Sequence, residues 1–245
     1  MDFDFVYGSG RLVFFLHGWG GDKNSFSFVK NYINFQNKNM VFVSFSGFGA
    51  SPPPYRAYSV LDYAEEIKEL IAKLAKGKSV DIVCHSFGGR VATILSAKYP
   101  QLVNSMFFVD VAGVRPRRSL KYYIKVRKYK RLKKLVKLGK KDKGVLSKYG
   151  SEDYKALDGV MKETFVKVVN QDLTAFYKNI KCPVFLFWGK DDKDTPLYMA
   201  KKMKKRIRNS KLFVVKNAGH FSYLDNPALF LGCLDEFLTK NNQNI

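Results

Sequence analysis

Cysteine is scarce in this chain, and what there is stands isolated. Cys84, Cys182 and Cys233 cannot form a closed set of pairs, and none has Cys-x-x-Cys spacing. A disulfide scaffold and a cysteine-held metal cluster are therefore excluded, and a reduced, cytoplasmic setting is expected. Histidine is equally sparse, so His17, His85 and His220 are the whole supply of imidazole. No stretch approaches 18 uncharged apolar residues, so no transmembrane helix is expected. The opening "MDFDFVYGSG" has no basic n-region and no long apolar run, so no secretory signal is expected either. Acidic residues are outnumbered, 21 Asp plus Glu against 43 Lys plus Arg, for a formal net charge of +22. The shortage is concentrated: between residues 115 and 143 a single acid, Asp142, stands among 15 basic residues.

What is present suits one α/β domain. The 245 residues are 46% hydrophobic and 15% aromatic, enough for a sizeable core. "RLVFFLHGWGG" (11–21) and "MVFVSFSGFGAS" (40–51) each read as an apolar strand running into a glycine-rich loop. A helix follows with apolar positions Leu61, Ala64, Ile67, Leu70, Ile71 and Leu74, closed by Gly77. Further strands are expected at 80–84, 106–113, 182–192 and 211–220, with a helix from Phe87 to Tyr99. Continuous apolar runs, rather than alternating ones, predict strands buried on both faces of a parallel sheet. Strands alternating with helices predict a doubly wound, mostly parallel α/β sheet.

Functional groups of such a sheet collect on loops beyond the carboxyl ends of its strands. In "DIVCHSFGGRVATIL" (81–95) a strand turns abruptly into a helix through Cys84, His85, Ser86, Phe87 and Gly88, a small-x-Ser-x-Gly corner. A nucleophile raised on a strained turn needs small residues two before and two after it. Ser86 needs a base and the base an orienting acid. His220, in "NAGHFSYLDNP", follows the last strand; His17 suits a loop-holding role, and His85 shares the nucleophile's turn and points away from it. Asp192, in "WGKDDKDTP", is the expected acid, with Asp110, Asp191 and Asp194 as alternatives. Cys84 reads as a small buried turn residue rather than a reactive thiol.

These motifs together resemble the α/β-hydrolase superfamily over essentially the whole chain. "LHGWGG", "GFGAS", "CHSFGG", "WGKDD" and "AGHF" follow in that family's order. The short N-terminus and "LHGWG" are most similar to small carboxylesterases such as pimeloyl-acyl-carrier-protein methyl ester esterases. The resemblance implies an α/β-hydrolase fold with Ser86 as nucleophile, His220 as base, Asp192 as acid, and the backbone N–H groups of Trp19 and Phe87 as oxyanion hole. It implies no cofactor and no metal. Two departures stand out: Cys84 where the family has glycine or alanine, and Ser44 and Ser46 where relatives often carry Asp and Pro.

Residues 114–181 separate the two parts of the core, 1–113 and 182–245, and are expected to form a helical cap (lid). Within them, 119–140 suits a long amphipathic helix whose stripe is Tyr122, Val126, Tyr129, Leu132 and Val136. That stripe is expected to pack on the body and leave a cationic back, suited to an acidic carrier protein or an anionic lipid surface. No nucleic-acid module accompanies the charge, so no nucleic acid is expected as partner. The expected activity is hydrolysis of a small-molecule carboxylic ester through an acyl-enzyme. Thioester, lactone or C–C bond hydrolysis by the same residues, and a non-catalytic binding role for the basic cap, stay open. A serine at the corner argues against epoxide hydrolase or dehalogenase chemistry, for which relatives use a carboxylate.

Overall fold

Alternating side chains of the central strands point into two separate apolar layers, and this sets the architecture. In the computed structural model, which describes residues 1–35, 38–146, 148–149 and 151–242, Phe14 and Leu16 enter one layer while Val13 and Phe15 enter the other. The strands are β1 (Asp2–Val6), β2 (Ser9–Leu16), β3 (Lys38–Ser44), β4 (Val80–His85), β5 (Val103–Val109), β6 (Val184–Gly189) and β7 (Ser210–Val215). They form one sheet in the order β1-β3-β2-β4-β5-β6-β7, parallel throughout except for β1. The helices are α1 (Val60–Ala75), α2 (Phe87–Lys98), α3 (Leu120–Lys137), α4 (Glu152–Ala156), α5 (Gly159–Asn170), α6 (Tyr198–Arg206), α7 (Ser222–Asp225) and α8 (Pro227–Asn242). Residues of α1, α2 and α6 fill one layer; α8 and the 3-10 segment Lys23–Asn31 fill the other.

β1 has no counterpart in the sequence reading. Its "DFDFV" alternates acid and aromatic residues, as suits an edge strand. Lys23 pairs with Asp2 at 3.0 Å and Asp4 at 2.8 Å, and Lys30 with Asp4 at 3.0 Å, which fastens this edge to the following 3-10 segment. The expected face of α1 is buried at Ala64, Ile67, Leu70 and Ile71, and only its first position differs. Ser59 and Asp62 form a reciprocal capping box, so the helix begins at Val60. From that start Val60, Ala64, Ile67, Ile71 and Ala75 face the core, while Leu61 is exposed.

The stretch 114–181, between β5 and β6, holds two unlike halves. α5 and the residues after it join the body: Val168, Leu173 and Tyr177 are buried in its main apolar layer. α3 does not. Its expected stripe exists, but no side chain of the helix is buried, and Tyr122 is exposed. Tyr129 meets the ring of Tyr149 instead, at 5.3 Å, so the stripe covers the short segment after the helix rather than the core. Nine basic residues and no acid in 18 positions leave the rest of α3 in solvent. No helix among the described residues is long and apolar enough to cross a membrane.

Candidate active site

β4 ends at His85, α2 begins at Phe87, and Ser86 makes the whole corner at φ 45°, ψ −107°. A non-glycine residue there is strained by about 1–3 kcal/mol, so neighbours must hold it. The amide of Ser86 donates to the Val109 carbonyl at 3.1 Å, and its carbonyl accepts from Ala112 at 3.0 Å and Gly89 at 3.2 Å. Gly88 lets α2 approach β2: a Cβ there would lie 2.3 Å from the Leu16 carbonyl oxygen. Cys84 meets the size requirement by pointing into the core, with Sγ 3.8 Å from the Phe107 carbonyl oxygen. Complete burial raises its thiol pKa well above the ordinary value, so it is inert.

His220, beyond β7, lies between Ser86 and Asp192. Its Nε2 is 3.0 Å from Ser86 Oγ, and its Nδ1 is 2.9 Å from Asp192 Oδ2. The carboxylate accepts only, so Nδ1 carries the proton and Nε2 presents its lone pair to the serine hydroxyl. Burial favours the neutral ring, but the hydrogen bond and charge of Asp192 outweigh it and hold the His220 pKa above its ordinary 6.5. Asp192 itself is fixed by donors. Oδ1 accepts the amides of Asp194 at 2.8 Å and Thr195 at 2.9 Å, and Oδ2 accepts the Thr195 hydroxyl at 2.6 Å. Burial alone raises a carboxyl pKa; here the hydrogen bonds from His220 and Thr195 reverse that and lower it.

The alternatives are placed elsewhere. Asp110, at the end of β5, makes no hydrogen bond to His220. Its Oδ1 accepts from the Gly189 amide at 2.8 Å, and its Oδ2 accepts from the amide and hydroxyl of Ser222 at 3.0 and 2.6 Å. Asp110 thus ties the end of β6 to the chain just after His220, and burial pushes its pKa up to about 7. Asp191 and Asp194 are exposed. His17 donates from Nδ1 to the Gly18 carbonyl at 2.7 Å and accepts the Phe45 amide on Nε2 at 3.1 Å, a loop-holding role. His85 is turned from the serine, and its Nε2 donates to the His220 carbonyl at 2.7 Å.

Trp19 and Phe87 flank the serine, their rings edge-on at 5.3 Å. Among the described residues, neither backbone amide donates to an acceptor within the protein. A cavity of about 410 Å³ opens on Ser86 and His220 and is walled by Trp19, Phe87, Phe165, Val168, Phe221 and Tyr223, with Arg90 and Ala112 also in its lining. A larger open groove of about 1000 Å³, bordered by Phe3, Arg11, Lys73 and Lys78, holds no serine–histidine pair. Asp192, Asp194 and His220 bring ligand atoms within 4.8 Å of one another. A metal there would displace the bonds that Asp192 already makes to His220, Thr195 and Asp194, so these residues do not form a free ligand set. Thr195, Arg90 and the clamp from His85 went unread in the sequence. The Asp-x-x-Thr spacing at 192–195 signals the turn hydroxyl, and Arg90 is the only charged residue between Phe87 and Ala97.

The comparisons with known proteins agree with this architecture. The AB hydrolase superfamily protein YisY of Bacillus subtilis is 23% identical over 249 residues, covering 94% of this chain and 92% of that one. An esterase from Exiguobacterium antarcticum superposes with a TM-score of 0.75 at 22% identity, covering 97% and 94%. A meta-cleavage product hydrolase from Pseudomonas fluorescens does so with a TM-score of 0.71 at 16% identity, covering 98% and 94%. The model of the alpha/beta hydrolase family matches residues 13–232, nearly the full length, and this chain is a member of that family.

Proposed function

We propose that the protein is a serine hydrolase of carboxylic esters. One observation carries the reading: an unbroken hydrogen-bonded chain from the Ser86 hydroxyl through His220 to Asp192. In this reaction His220 Nε2 takes the proton of Ser86 Oγ as the oxygen attacks the ester carbonyl. Asp192 fixes the ring tautomer and stabilises the imidazolium, with the Thr195 hydroxyl holding the carboxylate. The free amides of Trp19 and Phe87 receive the tetrahedral oxyanion. Collapse of that intermediate expels the alcohol, which takes its proton from His220 and leaves an acyl-Ser86. Water, deprotonated by the same imidazole, then releases the acid. Turnover of p-nitrophenyl butyrate by the wild type and not by Ser86→Ala, with fluorophosphonate labelling at Ser86, supports the reading. Equal turnover by both proteins overturns it.

Residues 114–181 act as the cap, since Phe165 and Val168 of α5 wall the cavity. Thioesters, lactones and C–C bonds α to a carbonyl are attacked by the same three groups, and a panel of these substrates ranks them. A second role rests on α3, which is exposed and carries nine cations without an acid. It docks an acidic carrier protein or an anionic lipid surface through charge. Salt-weakened binding, lost in Lys125→Glu/Lys128→Glu, supports this; salt-insensitive binding overturns it.

A further inference from the structure

Arg90 stands four residues after Ser86, in the first turn of α2, about 6 Å along the helix axis from the corner. It is only 7% exposed. A buried guanidinium is ordinarily matched by a carboxylate, because an uncompensated charge away from water is costly. Arg90 makes no such ion pair, although the charge of Asp172 favours its cationic form. Among the described residues its one hydrogen bond runs from Nη1 to the Gln171 carbonyl, 2.8 Å away, and no acid forms an ion pair with it. Asp172, next to that carbonyl, is occupied by the amide and hydroxyl of Thr174. Yet no nitrogen of Arg90 is both sealed from solvent and unbonded, and Arg90 lines the cavity that it shares with Ser86.

The cavity around it is otherwise apolar at Ala112, Phe165, Val168 and Val169, and two exposed acids, Asp153 and Asp194, reach its lining. A guanidinium offers five N–H groups in a planar fork, and a carbonyl oxygen uses one. A structural tie to Gln171 explains that one bond and leaves the others unexplained.

We propose that Arg90 is the anion anchor of this cavity, so that the substrate cleaved at Ser86 carries a carboxylate about one helical turn from the scissile carbonyl. A half-ester of a short dicarboxylic acid has that form: one end is the ester, the other a free carboxylate held in the Arg90 fork. The inference rests on Ser86 being the nucleophile.

The test pairs two esters of equal chain length, p-nitrophenyl hydrogen glutarate and p-nitrophenyl valerate, against wild type, Arg90→Lys and Arg90→Met. The wild type should prefer the charged ester. The ratio of kcat/KM between charged and neutral esters should fall about 10- to 100-fold in Arg90→Met, mostly through KM, with partial recovery in Arg90→Lys. A wild type that hydrolyses both esters without preference, or a ratio unmoved by Arg90→Met, overturns the anchor. A titration of Ser86→Ala with monomethyl glutarate needs no turnover and no Arg90 variant, so it decides the matter even where Arg90→Met does not fold. Absence of binding overturns the anchor. Binding by a protein whose wild type hydrolyses neither ester keeps the anchor and removes the esterase reading instead.

Discussion

His85 Nε2 donates to the backbone carbonyl of His220 at 2.7 Å, so the residue just before Ser86 grips the main chain that carries the His220 ring. The donor fixes the His85 tautomer, and burial lowers its pKa to about 3, so the ring stays neutral. Its ring also packs 4.9 Å from that of His220. Replacement by alanine frees the loop that carries the base. We expect kcat of His85→Ala to fall about tenfold with KM little changed, since orientation rather than binding is lost. His85→Gln, which keeps a donor, should recover part of it. Steady-state kinetics on p-nitrophenyl butyrate decide this.

Asp192 and Asp110 should separate cleanly. Asp192→Asn places an amide where Nδ1–H needs an acceptor, and kcat should drop by about 10³- to 10⁴-fold, as for the acid of other serine triads. Asp110→Asn touches only strand ends and the Ser222 loop, and its kcat should stay within about tenfold of wild type. Equal losses would show that Asp110 takes part in the chemistry.

In the proposed reaction His220 works only as neutral imidazole, and Asp192 raises its pKa. Activity should therefore rise with pH through a midpoint above 6.5. In Asp192→Asn the residual activity should turn on at lower pH, because the raising charge is gone. A kcat/KM profile for each protein checks both statements.

Stability should carry an opposing pair of pH effects. Burial raises Asp110 to about 7, so its contribution is complete at low pH and is lost as pH rises toward 7. Burial lowers His17 to about 4 and His85 to about 3, so theirs is present above the ordinary 6.5 and is lost as pH falls. Asp110→Asn removes the first effect and keeps the second. Its urea-unfolding free energy should rise with pH more steeply than that of wild type between about pH 4.5 and 6.5, by up to ~1.4 kcal/mol per unit.

Two glycines give a steric test of the corner. Gly88→Ala drives a Cβ against the Leu16 and His17 carbonyl oxygens, 2.3 and 2.9 Å away, which are backbone atoms and cannot swing aside. α2 must shift and carry the Phe87 amide with it, so esterase activity should fall at least tenfold together with Tm. Gly77→Ala, at φ +81° with nothing within 4 Å, should cost only about 1–2 kcal/mol and leave activity intact.

The parallel strands, α2 and the Ser86 corner were legible because burial on both faces and a strand-to-helix turn both leave marks in local sequence. Asp192 was distinguishable from Asp110 only in three dimensions, since both end core strands and the difference is which one meets His220. β1 was missed because it is only five residues long, and the lysines that pair with its acids lie beyond β2 in the 3-10 segment. The stripe on α3 was read correctly as a pattern. Its packing was not, because periodicity shows that a face exists without showing what covers it. Arg90 was passed over for a related reason: its burial against the cavity, without an ion pair, shows only in the fold.

Ser86, Asp192 and His220 are spread over 134 positions of chain, and the base comes last. During synthesis the serine corner can take shape while β7 is still unmade, yet His220, the imidazole that faces its hydroxyl, is not there. In the proposed reaction, the order of the strands thereby keeps a growing polypeptide chemically silent until the final edge of the sheet docks.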